Sequence, residues 1–194
     1  MQFQGLFSAA ILSVILMVHH PVHQDREVTL VSMPLAGDPG AKGAAVQWIS
    51  LPQLQEQMAR QSRPILVDLY TDWCGWCKVM DKKTYARTEV AQYINTHFYA
   101  VKINAESREA MTWQGKTYQF NSQAKIHNLA IQLTRGQLSF PHTIFVVPGE
   151  PQPQAIPGYL EVPDMELLLK YFGEGRYGKE DFSSYQKKFS PSWK

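Results

Sequence analysis

The chain has 194 residues, of which 44% are hydrophobic and 19% are charged. This ordinary balance excludes a wholly disordered or fibrous protein and suits one globular domain with appendages. The net charge is +2 and no run of lysines or arginines occurs, so we expect no nucleic-acid partner. The only two cysteines, Cys74 and Cys77, exclude a disulfide-dense scaffold, which needs several pairs spread along the chain.

The N-terminal segment has an unusual charge pattern. Residues 1–24 contain no Asp, Glu, Lys or Arg, and Leu6 to Val18 form a largely apolar run. This run is shorter than the roughly 20 residues of a membrane-spanning helix and matches the apolar centre of a secretory signal. We therefore predict that residues 1–24 are a signal peptide or a short anchor, and that the protein works in the periplasm or otherwise outside the cytoplasm. A buried first helix of the domain is the alternative.

The next part of the chain predicts a connector, a helix and a strand. Residues 25–46 contain several glycines and prolines, which indicates a connector. Ser50 and Gln53 have the spacing of a capping box, so a helix starts there. Ile65 to Tyr70 is a nearly continuous apolar run, typical of a strand buried on both faces. A turn that opens into a helix is predicted from Trp73 to Lys83.

The second half of the chain continues this alternation. The predicted elements are a helix capped by Thr88, a strand over residues 98–104, a loop or small hairpin over residues 105–125, a short helix that ends at Gly136, a strand over residues 143–147 and a last helix that begins at Pro163. Residues 173–194 are polar, with scattered aromatic residues and weak patterning. Strands alternating with helices indicate an α/β fold with a central sheet.

The two cysteines form the motif Cys74-Gly75-Trp76-Cys77, directly after the apolar strand and at the start of a helix. There the helix N-terminus favours the thiolate of Cys74, and Cys77 lies one turn later, close enough to close a disulfide. This arrangement indicates a thiol–disulfide exchange centre. Half of a zinc site is the alternative, but the sequence offers no second cysteine pair and no convincing histidine pair.

These residues resemble a known family. The stretch from Ile65 to Lys78, ILVDLYTDWCGWCK, is similar to the active-site segment of the thioredoxin superfamily, in particular of exported bacterial thioredoxin-like proteins. Further similarities follow in order: Lys102-Ile103-Asn104 resembles the lysine-bearing strand, Phe140-Pro141 the cis-proline loop and Gly158 the glycine bend.

The resemblance implies a thioredoxin-like fold, a central mixed sheet flanked by helices, over residues 47–172. It leaves residues 173–194 as a C-terminal extension. Three features depart from thioredoxin itself. Trp76 replaces a proline, His142 follows the cis-proline in place of a frequent threonine, and the stretch 105–139 before the cis-proline loop is longer. These departures bear on substrate range and reduction potential rather than on the reaction class.

The resemblance also implies roles for individual residues. Cys74 would attack a protein disulfide and Cys77 would resolve the mixed disulfide. Asp68 would accept the Cys77 proton, with Lys102 as its ionic partner. From the residues alone, a carboxylate in an apolar strand is expected to have a raised pKa, and outward-pointing side chains are the alternative for both Asp68 and Lys102. The residues expected to contact the substrate are Trp73, Gly75, Trp76, Phe140 and Pro141.

The resulting prediction is an enzyme, a protein-disulfide reductase with no organic cofactor and no resident metal. Its partners would be protein disulfides and, as electron donor, a membrane thiol reductase. Gly75 and Trp76 carry no charge that would hold a thiolate, which favours a low reduction potential and the reductase direction over an oxidase or isomerase. One rival is a metallochaperone that holds Cu(I) with both thiolates and His142. Another is an interaction module without catalysis.

Overall fold

The computed structural model describes residues 44–193. The predicted signal peptide or anchor and most of the predicted connector therefore lie outside the described residues. Within residues 44–193, none of the helices combines the length and apolar character needed to cross a bilayer.

The described chain contains short helices and strands in alternation. The helices are α1 (Leu51–Arg60), α2 (Gly75–Met80), a π-helical segment (Asp81–Tyr85), α3 (Thr88–His97), α4 (Asn128–Thr134), α5 (Val162–Gly173) and α6 (Phe182–Lys188). The strands are β1 (Ile65–Tyr70), β2 (Tyr99–Asn104), β3 (Met111–Trp113), β4 (Lys116–Tyr118), β5 (Phe120–Asn121), β6 (Ile126–His127), β7 (His142–Val146) and β8 (Gln154–Pro157).

The central sheet has the strand order β2-β1-β7-β8. β1 runs parallel to β2 and antiparallel to β7, and β7 runs antiparallel to β8. β1 is buried along nearly its whole length, as expected for an inner strand covered on both faces. The predicted thioredoxin-like fold, a mixed sheet flanked by helices, is confirmed.

Each face of the sheet packs on its own hydrophobic core, because successive side chains of a strand point to opposite faces. Leu66 and Phe145 belong to one core, together with residues of α3 and α5. Val67 and Ile144 belong to the other core, together with residues of α1 and α4. Asp68 follows Val67 in β1, so its side chain lies on the α3–α5 face.

Two predicted helix starts have different outcomes. The capping box at α1 is confirmed, since the Ser50 hydroxyl accepts the Gln53 N–H and the Gln53 side chain accepts the Ser50 N–H. The prediction that Thr88 caps α3 is wrong. Arg87 is the N-cap residue, it makes no side-chain capping bond, and Thr88 is the first helical residue. Helix starts are the part of a helix that sequence patterns locate least well.

The stretch before the cis-proline loop forms two small antiparallel pairs, β3–β4 and β5–β6, which confirms the hairpin alternative for residues 105–125. Trp113 pairs with Lys116 in the first hairpin, so its loop consists of Gln114 and Gly115. Both loop residues have positive φ, 48° and 76°, as the tight turn of a two-residue hairpin requires.

The chain packs on its core beyond both ends of the region 47–172. Val46 is buried in the α3–α5 core. At the other end, the fully buried Glu166 of α5 accepts the backbone N–H groups of Ser192 and Trp193. Aromatic residues of the tail also pack against this core, namely Tyr177, Phe182, Tyr185 and Trp193. Their irregular spacing explains why the tail shows only weak patterning in the sequence.

Candidate active site

The cysteine pair lies where β1 ends and α2 begins. Cys74 is the N-cap residue of α2, and its Sγ accepts the backbone N–H of Cys77 at 3.0 Å. The two cysteines form a disulfide, with their Cα atoms 5.3 Å apart. An N–H directed at Cys74 Sγ and the helix N-terminus both favour negative charge on this sulfur once the disulfide is reduced.

Burial does not distinguish the two cysteines, because Cys74 is 3% exposed and Cys77 is 5% exposed. The residues beside the two cysteines are much more exposed than the cysteines themselves. Trp73 and Trp76 are 67% and 60% exposed, and Gly75 is also exposed, with open space where a Cβ would stand. The disulfide is therefore flanked by two exposed aromatic side chains, which form an aromatic rim.

Asp68 and Lys102 form an ion pair on the sheet face that carries the α3–α5 core. They are register partners in the parallel β1–β2 pair, and Lys102 Nζ donates to Asp68 Oδ2 at 2.5 Å. The Asp68 side chain is only 3% exposed, so the outward-pointing alternative is wrong for this residue. Burial raises the pKa of Asp68 to about 6, although Lys102 acts to lower it.

A second carboxylate contacts the same lysine. Asp81 accepts a hydrogen bond from Lys102 Nζ at 2.6 Å and is itself about half exposed. Asp81 is not among the site residues predicted from the sequence, although its position four residues after Cys77 places both on one side of a helix. The lysine also lies near three aromatic rings, those of Trp48, Tyr70 and Tyr85.

The exposed tryptophans are held by specific contacts. The Trp73 ring packs edge-on against Phe140 with ring centres 6.0 Å apart, and its indole N–H donates to Glu106 at 2.9 Å. The Trp76 ring packs against Tyr159 with ring centres 5.4 Å apart. Glu106 and Tyr159 are further site residues that sequence reasoning did not identify, because they lie far from the cysteines along the chain.

The loop before β7 completes the site. The Phe140–Pro141 peptide bond is cis, and β7 starts at His142, which pairs with Leu69. Pro141 therefore lies beside the end of β1 that leads to the cysteines. The Pro141 carbonyl accepts the N–H of Gly158, which has a φ of 95°. The two loops that resemble thioredoxin's cis-proline loop and glycine bend are thus in direct contact.

His142 is fully buried. Its Nδ1 pairs with the Ser139 carbonyl at 2.5 Å, while its Nε2 has no hydrogen-bond partner among the residues that the structure describes. Burial lowers the pKa of His142, so the neutral imidazole is favoured. Within the part of the chain that the structure describes, no cluster of three or more His, Cys, Asp or Glu side chains is arranged to hold a metal ion.

Comparison with known proteins agrees with this geometry. Residues 41–168 match the family model described as "Thioredox_DsbH: Protein of unknown function, DUF255". Over 65 residues the chain is 38% identical to a "Thiol:disulfide interchange protein DsbD" from Yersinia pestis, a match that covers 32% of this chain and 11% of that protein. The chain thus spans about a tenth of the length of the curated relatives it matches.

Solved structures similar to this chain include two described as thioredoxin-fold or DsbH proteins. A thioredoxin-fold protein from Helicobacter pylori has a TM-score of 0.48 at 17% identity, over 65% of this chain and 79% of its own. A "DsbH Oxidoreductase" has a TM-score of 0.49 at 16% identity, over 75% and 92%. The Thioredox_DsbH family model matches well over half of the chain, so the chain belongs to this family. It is therefore one of the thioredoxin-like thiol–disulfide oxidoreductases, and Cys74 and Cys77 are its cysteine pair.

Proposed function

We propose that this protein reduces protein disulfides outside the cytoplasm. The observation that carries the proposal is the position of Cys74 at the start of α2, beside exposed tryptophans and just after the strand β1 that carries the buried Asp68 of the Asp68–Lys102 pair. A nucleophile with exposed neighbours and a buried carboxylate that can accept a proton suit the two steps of thiol–disulfide exchange.

The reaction has two exchange steps. The Cys74 thiolate attacks one sulfur of a substrate disulfide, which forms a mixed disulfide and releases the other substrate sulfur as a thiolate. Cys77 then loses its proton to Asp68, and its thiolate attacks Cys74 Sγ. This step releases the second substrate sulfur and leaves the Cys74–Cys77 disulfide seen here. A donor dithiol must return two electrons to this disulfide before the next cycle.

The buried pair suits Asp68 for the proton transfer. With a pKa of about 6, the carboxylate is mostly ionised at neutral pH and can accept a proton. Lys102 contacts both Asp68 and Asp81, so its charge stays compensated when Asp68 becomes neutral. Lys102 therefore acts as a positioning residue for Asp68.

The proposed substrate surface is the aromatic rim with the loop beside it. Trp73, Trp76 and Phe140 present apolar area next to the disulfide, and backbone groups next to Pro141 are available to an extended substrate segment. Such a surface favours an unfolded or flexible polypeptide over a small thiol. The extracytoplasmic compartment and a membrane thiol reductase as donor rest on the apolar N-terminal segment and remain part of the proposal.

We expect a reduction potential more negative than about −200 mV, on the thioredoxin side of the scale. The nearest lysines cannot hold a thiolate, because Lys78 points to solvent and Lys102 is engaged by two carboxylates. The helix N-terminus contributes only about 0.3–1 kcal/mol. Equilibration with glutathione buffers of known ratio measures the potential. A value above about −150 mV would show an oxidase or isomerase instead.

We expect Trp76→Ala to raise the KM for a protein disulfide substrate about fivefold to tenfold, as is typical when an exposed aromatic contact of about 1–1.4 kcal/mol is lost. The rate with a small disulfide should not change, since such a substrate does not reach the rim. Both rates can be measured by coupled thiol release. An equal loss with both substrates would show that Trp76 shapes the cysteine site itself.

A further inference from the structure

Two buried hydroxyl groups near the ion pair have no hydrogen-bond partner within residues 44–193. They belong to Thr143 of β7 and Tyr85 at the end of the π-helical segment. Thr143 is fully buried and Tyr85 is 4% exposed. Buried polar groups nearly always have a partner, so each exception calls for an explanation.

Thr143 lies beside Asp68 by strand register. The two residues are direct partners in the antiparallel β1–β7 pair. Side chains at directly opposite positions lie on the same face of a sheet, with Cβ atoms about 4.5–5.5 Å apart. The Thr143 hydroxyl is therefore on the face that carries the Asp68 carboxylate, with Lys102 on the other side of Asp68 in β2.

Tyr85 reaches the same place from the helical layer. Its ring centre lies 5.7 Å from Lys102 Nζ, the nitrogen that donates to Asp68. Burial and the nearby Asp68 charge raise the pKa of Tyr85, and its contact with Thr143 acts in the opposite direction. The phenol is therefore neutral and is a hydrogen-bond donor. The Thr143 and Tyr85 hydroxyls are close to each other, but neither makes a hydrogen bond of normal geometry.

The π-helical segment explains how Tyr85 comes to face the ion pair. Cys77, Asp81 and Tyr85 are spaced four residues apart. From Cys77 to Asp81 the helix is α-helical, and four residues make slightly more than one turn of 3.6 residues. From Asp81 to Tyr85 it is π-helical, and four residues make slightly less than one of the wider π turns. The two angular offsets have opposite signs and nearly cancel. All three side chains therefore lie on one side of the helical layer, towards Lys102 and Asp68.

We propose that the Tyr85 and Thr143 hydroxyls are positioning groups that donate hydrogen bonds to one bound water, which in turn donates to the ionised Asp68 carboxylate. An ionised carboxylate has about four acceptor sites, so it can bind this water in addition to Lys102. The role rests on the proposed function, because it matters when Asp68 takes the Cys77 proton. Donors to the ionised form keep Asp68 available as a base in spite of its burial.

The charged and titratable groups that face Asp68 come from two elements. They are Lys102 from β2, and Asp81 and Tyr85 from the π-helical segment. On β7 the facing residue is Thr143, which does not titrate. In the oxidised protein Cys77 is in the disulfide and does not titrate either. If removal of one hydroxyl changes the Asp68 titration, the change is therefore due to that hydroxyl.

The test uses Tyr85→Phe and Thr143→Val, which remove the hydroxyls and keep nearly the same volume. Carbon-13 NMR of the Asp68 carboxyl in the oxidised protein measures its titration directly. We expect each variant to move that titration to higher pH, by about one unit for the more important donor, which corresponds to about 1.4 kcal/mol. Tyr93→Phe is the matched control, since the Tyr93 hydroxyl also lacks a partner but lies on α3. It should leave the Asp68 titration unchanged.

The same variants test the functional consequence in the reduced protein. The second, resolving phase of reaction with an aromatic disulfide should lose about fivefold in rate near pH 6 and little at pH 8, since a one-unit shift lowers the ionised fraction of Asp68 by that factor at pH 6. In an Asp68→Asn background, Tyr85→Phe should have no further effect, because the hydroxyl acts through Asp68. An Asp68 titration that does not move in either variant overturns the inference. If the Asp68 titration shifts as expected in the two variants but the wild type shows no exchange activity, the proposed function is overturned and this inference stands.

Discussion

Replacing Cys77 by Ser should trap the protein as a mixed disulfide with its substrate, while Cys74→Ser should abolish exchange altogether. The structure supports this division because Cys74 is the N-cap residue whose Sγ accepts a backbone N–H, and because its neighbours Gly75 and Trp76 are exposed. A thiolate at Cys74 is stabilised and is approached from the rim. Without Cys77 the first step still occurs, but no thiol remains to release the substrate.

A non-reducing gel after incubation with a reducible protein shows the trapped adduct, and reductant should remove it. The double variant Cys74→Ser/Cys77→Ser is the matched control and should form no adduct. If adducts formed with Cys74→Ser and not with Cys77→Ser, Cys77 would be the attacking residue and the roles would be reversed.

Asp68→Asn should slow resolution of the mixed disulfide by about a hundredfold at pH 7, in the range typical for loss of a general base. The first attack by Cys74 should change much less. Because Cys77 loses its proton unaided at high pH, the deficit should shrink above pH 9. Stopped-flow measurement of both phases from pH 5 to pH 10 separates the steps. In the wild type the resolving phase should decline as the pH falls through about 6, the pKa of Asp68.

The same variant should be as stable as the wild type or more stable at neutral pH. The folded-state pKa of Asp68 is raised from 3.8 to about 6, so the folded protein binds this proton more tightly than the unfolded chain does. The resulting destabilisation is absent below pH 4, grows between pH 4 and pH 6, and is complete above pH 6. Asn removes it, and Lys102 keeps Asp81 as a partner.

Thermal unfolding from pH 4 to pH 8 checks this expectation, with Asp164→Asn, an exposed residue in the first turn of α5, as control. The melting temperatures of the wild type and Asp68→Asn should converge at pH 4 and separate as the pH rises. A melting temperature many degrees lower, with normal turnover, would instead make Asp68 a structural residue.

Several features of the site follow from local sequence patterns. The run from Ile65 to Tyr70 is apolar on both faces except at Asp68, which is typical of an inner strand. The motif Cys74-Gly75-Trp76-Cys77 after this strand locates the disulfide, since two cysteines one helical turn apart are within bonding reach. The chemistry class and an α/β fold with a central sheet were therefore predictable, and the resemblance added the thioredoxin-like topology and located Pro141.

Other features depend on contacts between elements that are distant in the chain. Tyr85 faces Lys102 because the helix widens into a π turn after Asp81, and no local propensity indicates such a turn. Tyr159 reaches Trp76 because β8 returns beside β7. The pairing of Thr143 with Asp68 is set by strand register, which becomes defined only when both strands bury their faces against the same cores. The sequence by itself thus determined where the cysteine chemistry lies and on which fold. The tertiary structure alone decided which groups surround Asp68, because hydrogen bonding and burial depend on side chains brought together from different elements.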